Sequence, residues 1–241
     1  MATFRIKLTV ADLRVVILGV GLTLAAGCAY PLTIKNLSLY KPTSVGSVDN
    51  IKVGLNASTS TPEEERLVMA TANAMKRDGY KLSYPFYTTE ESKKSVDYLV
   101  KLTTSSQYEG SGWNFLINWP GFLIWTPAWH GYNYRAIFGF DADITNLATG
   151  NQLPRISSPV DLDIRHADFN RTWTEISWLE WSAIAFVGGI IFTRYDHSVT
   201  PKLLDAAEQH IADYVASKIS AAIAADKQAS PPSPPPVAES H

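Results

Sequence analysis

The feature that most constrains this chain is a strict alternation over residues 134–144. Tyr134, Ala136, Phe138, Phe140, Ala142 and Ile144 fall on one side, with Arg135, Asp141 and Asp143 on the other. A period of two sustained over that length predicts a long strand with one buried and one wet face. A turn at 146–150 follows, and Val160, Leu162 and Ile164 then alternate with Asp161, Asp163 and Arg165, which predicts an adjacent strand of a meander pair. A sheet that is apolar on one face needs a cover.

Two helices supply it. Thr61, Pro62 and Glu64 place a hydroxyl N-cap, a proline at the first helical position and an acid at the third, ahead of an apolar face of Leu67, Val68, Ala72 and Met75. Asp78-Gly79 offers a left-handed exit, so a helix over 62–78 is expected. A second helix is expected from Thr200-Pro201 to about residue 225, where Leu204, Ala207, Ile211, Val215, Ile219 and Ala222 recur at helical spacing. Shorter strands are predicted at 51–55, at 96–104 and within 80–87, where Pro85 demotes the segment to a short or edge strand. The expected fold is α+β: a mainly antiparallel sheet with two amphipathic helices on one face, interrupted by two aromatic or apolar insertions.

The insertions are the unusual chemistry. Residues 110–134 carry no charged side chain, yet include Trp113, Trp119, Trp125 and Trp129 with Phe115, Phe122, Tyr132 and Tyr134. Pro120, Gly121, Pro127 and Gly131 break the segment into pieces too short to cross a bilayer. A second uncharged run, 182–193, follows Trp173, Trp178 and Trp181. Three placements fit: an aromatic second core, a contact with a copy or another protein, or a dip into a bilayer surface. The residues singled out for partner or membrane contact are Trp113, Trp119, Phe122, Trp125, Trp129, His130 and Tyr132.

Composition narrows the function classes. Lys and Arg number 21 against 23 acids, for a net charge of −2, so the chain lacks the basic excess that draws proteins onto nucleic acid. One cysteine and five scattered histidines offer no metal-ligand spacing, and no cofactor is expected. Asp141, Asp143, Asp161 and Asp163 read as the solvated face of the sheet rather than a cation site. Neither a Gly-x-Ser-x-Gly elbow nor a phosphate-binding loop is present, so no catalytic residue is assigned and an enzyme is not expected.

The N-terminus carries an address. Arg5, Lys7 and Arg14 precede the uncharged run 15–26, about a dozen residues, which ends in Leu24-Ala-Ala-Gly-Cys28. This ending resembles the lipobox of bacterial lipoproteins. The resemblance implies cleavage before Cys28, diacylglycerol on its sulfur, an acyl chain such as palmitate on its amino group, and anchoring by those chains. Ala29, in place of the aspartate that retains such proteins at the inner membrane, implies the periplasmic face of the outer membrane. The expected layout is a signal peptide at 1–27, an anchor and tether at 28–50 that becomes a first extended segment near residues 32–39, a single periplasmic domain at 51–225 and a disordered proline-rich tail at 226–241. The order of strands and helices distantly resembles small α/β domains of lipoprotein accessory factors in envelope export and curli-type secretion. The function expected is that of a membrane-anchored structural or assembly component, a homo-oligomer or a partner of another envelope protein. The rival class is a module binding a lipid or other apolar ligand, with His130 and Tyr132 as polar handles; a hydrolase is a distant third.

Overall fold

The computed structural model describes residues 29–44, 50–118, 130–168, 171 and 190–229. The strands are β1 (Tyr30–Ile34), β2 (Lys52–Ser58), β3 (Lys81–Ser83), β4 (Tyr98–Gly110), β5 (Tyr132–Asn146), β6 (Ile156–Ser157) and β7 (Val160–Ala167). The helices are α1 (Pro62–Arg77), α2 (Glu90–Lys93), α3 (Trp113–Asn118) and α4 (Val199–Ala229). The seven strands form one mixed sheet in the order β1-β7-β5-β4-β2-β3, with β6 beside β5, so the fold is α+β. It is mostly antiparallel, but β2 pairs parallel with both β3 and β4. The connection through α1 imposes this, because a strand that returns by way of a helix comes back in the same direction.

By its contacts the chain divides into two compact units. The first comprises Met1–Lys35, Tyr108–Ala136 and Leu162–Thr200; the second comprises Asn36–Gln107, Ile137–Asp161 and Pro201–His241.

In the second unit the sequence signals translate directly into structure. The Thr61 hydroxyl accepts from Glu64 N at 3.3 Å, Pro62 opens α1, and Gly79 leaves it at φ 103°. The Glu64 carboxylate is buried and satisfied, accepting from Ser60 N at 2.6 Å and from the Ser106 hydroxyl at 2.8 Å. Leu67, Val68, Ala72 and Met75 are all buried, as are Leu204, Ala207, Ile211, Val215 and Ile219 of α4. Arg66 bonds to Asp205 (2.7 Å) and Glu208, and Arg77 bonds to Asp213 (2.6 Å), so α1 and α4 lie side by side as a common cover. Beneath them sit Val53, Leu55, Val100, Leu102, Phe138 and Phe140.

Three boundaries depart from expectation. The extended segment expected near residues 32–39 begins earlier and is shorter: it is the strand Tyr30–Ile34, paired to β7 two residues after Cys28 (Tyr30 with Ala167, Ile34 with Ile164). The helix α4 starts ahead of Thr200, because the Asp196 carboxylate accepts from Ser198 N and nucleates the turn there. The same helix runs on to Ala229, since Asp226 accepts from the Tyr98 hydroxyl (2.9 Å) and from Asn146 Nδ2 (2.7 Å), which fixes the last turns. The expected tail beyond residue 229 lies outside the described residues.

Candidate functional site

Both insertions leave from the first unit, and the described residues show how their ends are held. Of the second insertion, Arg171 on one side and Ile190 to His197 on the other are described. The Arg171 guanidinium joins those sides. Nη2 donates to the carbonyls of Phe192 (3.0 Å) and Arg194 (3.2 Å), and Nη1 pairs with Asp196 at 3.0 Å. Its flat faces lie against aromatic rings, 4.9 Å from Tyr132, 5.4 Å from Tyr134 and 5.0 Å from Phe192. The side chain keeps only 11% of its surface. A planar cation with five donors suits this box, because it satisfies two backbone acceptors and a carboxylate while stacking on rings.

Electrostatics follow from that enclosure. Burial works to raise the Asp196 pKa, but hydrogen bonds from Ser198 and Arg171 outweigh it and hold the carboxyl below its ordinary value. Tyr195, edge-on to Tyr134 and 4.8 Å from Tyr108, is pushed up to about 12, chiefly by burial. Tyr134 is raised for the same reason. Tyr134 and Tyr195 both stay neutral at physiological pH.

A different device closes the first insertion. Asn114, fully buried on α3, donates through Nδ2 to the Asn133 carbonyl (3.0 Å) and accepts from Asn133 N (2.8 Å). This reciprocal pair mimics one rung of an antiparallel ladder and brings the two ends of the segment together. Arg165 Nε in turn donates to Asn133 Oδ1 at 3.0 Å. Two glycines then knit the necks to their surroundings. A β-carbon at Gly110 would collide with the Thr193 carbonyl and the Arg194 backbone, so only glycine lets the first neck touch the second. At Gly131, φ is 64° and a β-carbon would stand 2.8 Å from the Tyr30 ring. Tyr30 is fixed further by its carbonyl, which accepts from His166 Nδ1 at 2.8 Å.

The residues singled out from sequence are thus sorted. Trp113 is exposed (69%), as is His130. Tyr132 is not at the surface: it is wholly buried, stacked on Phe192 beneath Arg171, and serves the interior of the unit instead. Cys28, Trp119, Phe122, Trp125 and Trp129 lie outside the described residues. The exposed Leu116, Ile190 and Ile191 join Trp113 as apolar surface. Leu116 was legible as one helical step from Trp113, whereas Arg171, the organising residue, carries no local signal. Asp141 and Asp143 share Arg155, at 3.3 and 3.8 Å, as expected of a solvated charged face. Among the described residues, no group of three or more His, Cys, Asp or Glu is placed to hold a metal, and no helix is long and apolar enough to cross a membrane. An open pocket of about 380 Å³ adjoins the clamp, lined by Arg171, Ile191, Phe192, Arg194, Tyr195, Asp196 and His197.

No family model and no curated protein matches the chain. Among solved structures it is similar to a minor lipoprotein from Acinetobacter baumannii, at 12% identity and a TM-score of 0.35 over 73% of this chain and 94% of that one. It is also similar to a PelC dodecamer from Paraburkholderia phytofirmans (8%, TM-score 0.25, 75% and 96%) and to a neuraminyllactose-binding hemagglutinin homolog from Helicobacter pylori (10%, 0.31, 75% and 93%). Likeness at this level transfers neither mechanism nor partner.

Proposed function

We propose that this chain is a lipid-anchored protein of the bacterial cell envelope, held by acyl chains on Cys28 at the periplasmic face of the outer membrane. It acts there as a non-catalytic structural or assembly component, its aromatic segment engaging a neighbouring copy or another envelope protein. The address rests on the basic residues Arg5, Lys7 and Arg14, the uncharged run after them and the Ala-Gly-Cys28 ending.

One structural observation carries the reading beyond that address. Tyr30, two residues after the acyl-bearing cysteine, is built into the neck of the aromatic segment through Gly131 and through β7. Two residues of chain span at most about 7 Å, whatever their conformation. The anchor therefore holds the neck of the aromatic segment at Gly131 close to the bilayer rather than at the end of a long leash, and it restricts the segment's partners to what lies at that membrane.

The ligand-binding alternative loses one of its handles, because Tyr132 is covered by Arg171. The test is photo-crosslinking in cells from positions 122, 125 and 130. Discrete adducts with an envelope protein or a second copy, lost in Cys28→Ala, are the expected result. No adducts, or adducts indifferent to Cys28→Ala, would overturn the reading.

A further inference from the structure

Among the described residues of the first unit, four large apolar side chains face solvent: Trp113 (69% exposed) and Leu116 (55%) on α3, and Ile190 (48%) and Ile191 (50%) in the helical residues that lead to Phe192. Trp113 and Leu116 are three residues apart and share one helical face. The buried Asn114, tied to Asn133, sets which face of α3 points outward. The contact of Gly110 with Thr193 places the two pairs on joined necks, since Trp113 follows the glycine by three residues and Ile190 precedes the threonine by three. Tyr30, against Gly131, ties the start of β1 to the same framework.

We propose that this apolar corner seats in the headgroup layer of the membrane that holds the Cys28 acyl chains, fixing the orientation of the first unit on the bilayer. The proposal rests on the lipid-anchor reading above. Acyl chains alone set distance and leave a domain free to swivel; a second, apolar point of contact sets its angle.

Three observations favour lipid over protein as the occupant. The anchor point stands two residues from Tyr30, so the membrane is the surface this corner meets at the highest effective concentration. Neither 110–134 nor 182–193 contains a charged side chain that would resist transfer to the interface, and a tryptophan leads the exposed face, as at headgroup depth elsewhere. The exposed Arg194, just past the isoleucines, carries its charge where headgroup phosphates would lie.

The test uses the chain's single cysteine to advantage, because acylation leaves no free thiol. Cysteines introduced singly at Leu116, Ile190 and Ile191, and at the exposed apolar controls Met69 and Tyr87 of the second unit, carry an environment-sensitive fluorophore on the full chain in phosphatidylethanolamine–phosphatidylglycerol vesicles. The expected result is a blue shift at 116, 190 and 191 and loss of most of their emission to lipids spin-labelled near the headgroup, while labels at 69 and 87 answer to aqueous iodide instead. Iodide quenching of equal size at all five positions would overturn the seat. Labels at 116 and 190 shielded from iodide yet untouched by spin-labelled lipid, with a discrete multimer on crosslinking, would overturn it in favour of a second copy. Intact mass of the same preparation keeps the two readings apart. An acylated Cys28 with aqueous labels sinks the seat alone; a Cys28 that itself takes up the fluorophore removes the anchor, and the labels are then read in a Cys28→Ser background, where lipid quenching sustains the seat and iodide quenching sinks it.

Discussion

The second unit is held by aliphatic side chains that two helices lay onto a sheet, whereas the first is held by rings closed around a guanidinium. In the second, each buried residue is one step of a repeating pattern, such as Leu67 and Val68 on α1 or Ile211, Val215 and Ile219 on α4. In the first, Arg171 satisfies carbonyls 21 and 23 residues away and stacks on a tyrosine 39 residues upstream. A periodic core tolerates loss of one methyl group by degrees. A polar clamp fails as a whole, because removing one partner leaves the other's charge unpaired in a site mostly closed to water.

The comparison breaks most visibly in the core of the second unit. Phe138→Ala, at a fully buried ring, should cost about 3–5 kcal/mol in urea unfolding. In the first unit Asp196→Ala should cost about 3 kcal/mol, since the Arg171 charge loses its counter-ion in a site mostly closed to water. The double variant Arg171→Met, Asp196→Leu should recover most of that loss, and a double variant no better than the single would show that the clamp is more than charge compensation.

Acid sharpens the same contrast. Asp196 is held below the ordinary value of 3.8, so its contribution is complete above that pH and is lost as pH falls through its lower folded value. Near-ultraviolet dichroism from the ring box should therefore fade below about pH 3.8 while the helical signal of α1 and α4 persists. Asp196→Asn should abolish that separate phase. The smallest effect is expected at the α1 cap, where Thr61→Ala should cost about 1 kcal/mol without altering the first unit.

What the sequence disclosed, and what it withheld, follows the same division. The alternation in β5, the Thr61-Pro62-Glu64 start of α1 and the apolar stripe of α4 are local signals, and each appears where the pattern put it. The parallel pairing of β2 was readable in principle, since α1 stands between β2 and β3. The clamp was not: an arginine between two tryptophan-rich runs looks like any surface charge until Asp196, Phe192 and Tyr132 converge on it. Tyr132 misled for the same reason. Its place in an uncharged aromatic run reads as contact surface, and only the long-range partner buries it. The extension of α4 to Ala229 likewise depends on Asp226 meeting Tyr98, 128 residues earlier.

The joined necks acquire a purpose only if the chain is tied to lipid at the point where β1 begins. Mass spectrometry of the protein extracted from membranes tests this most directly. The account predicts an N-terminal peptide that starts at Cys28 and bears a diacylglyceryl thioether with an amide-linked acyl chain. A peptide retaining residues 1–27, or a free sulfur at position 28, would contradict it.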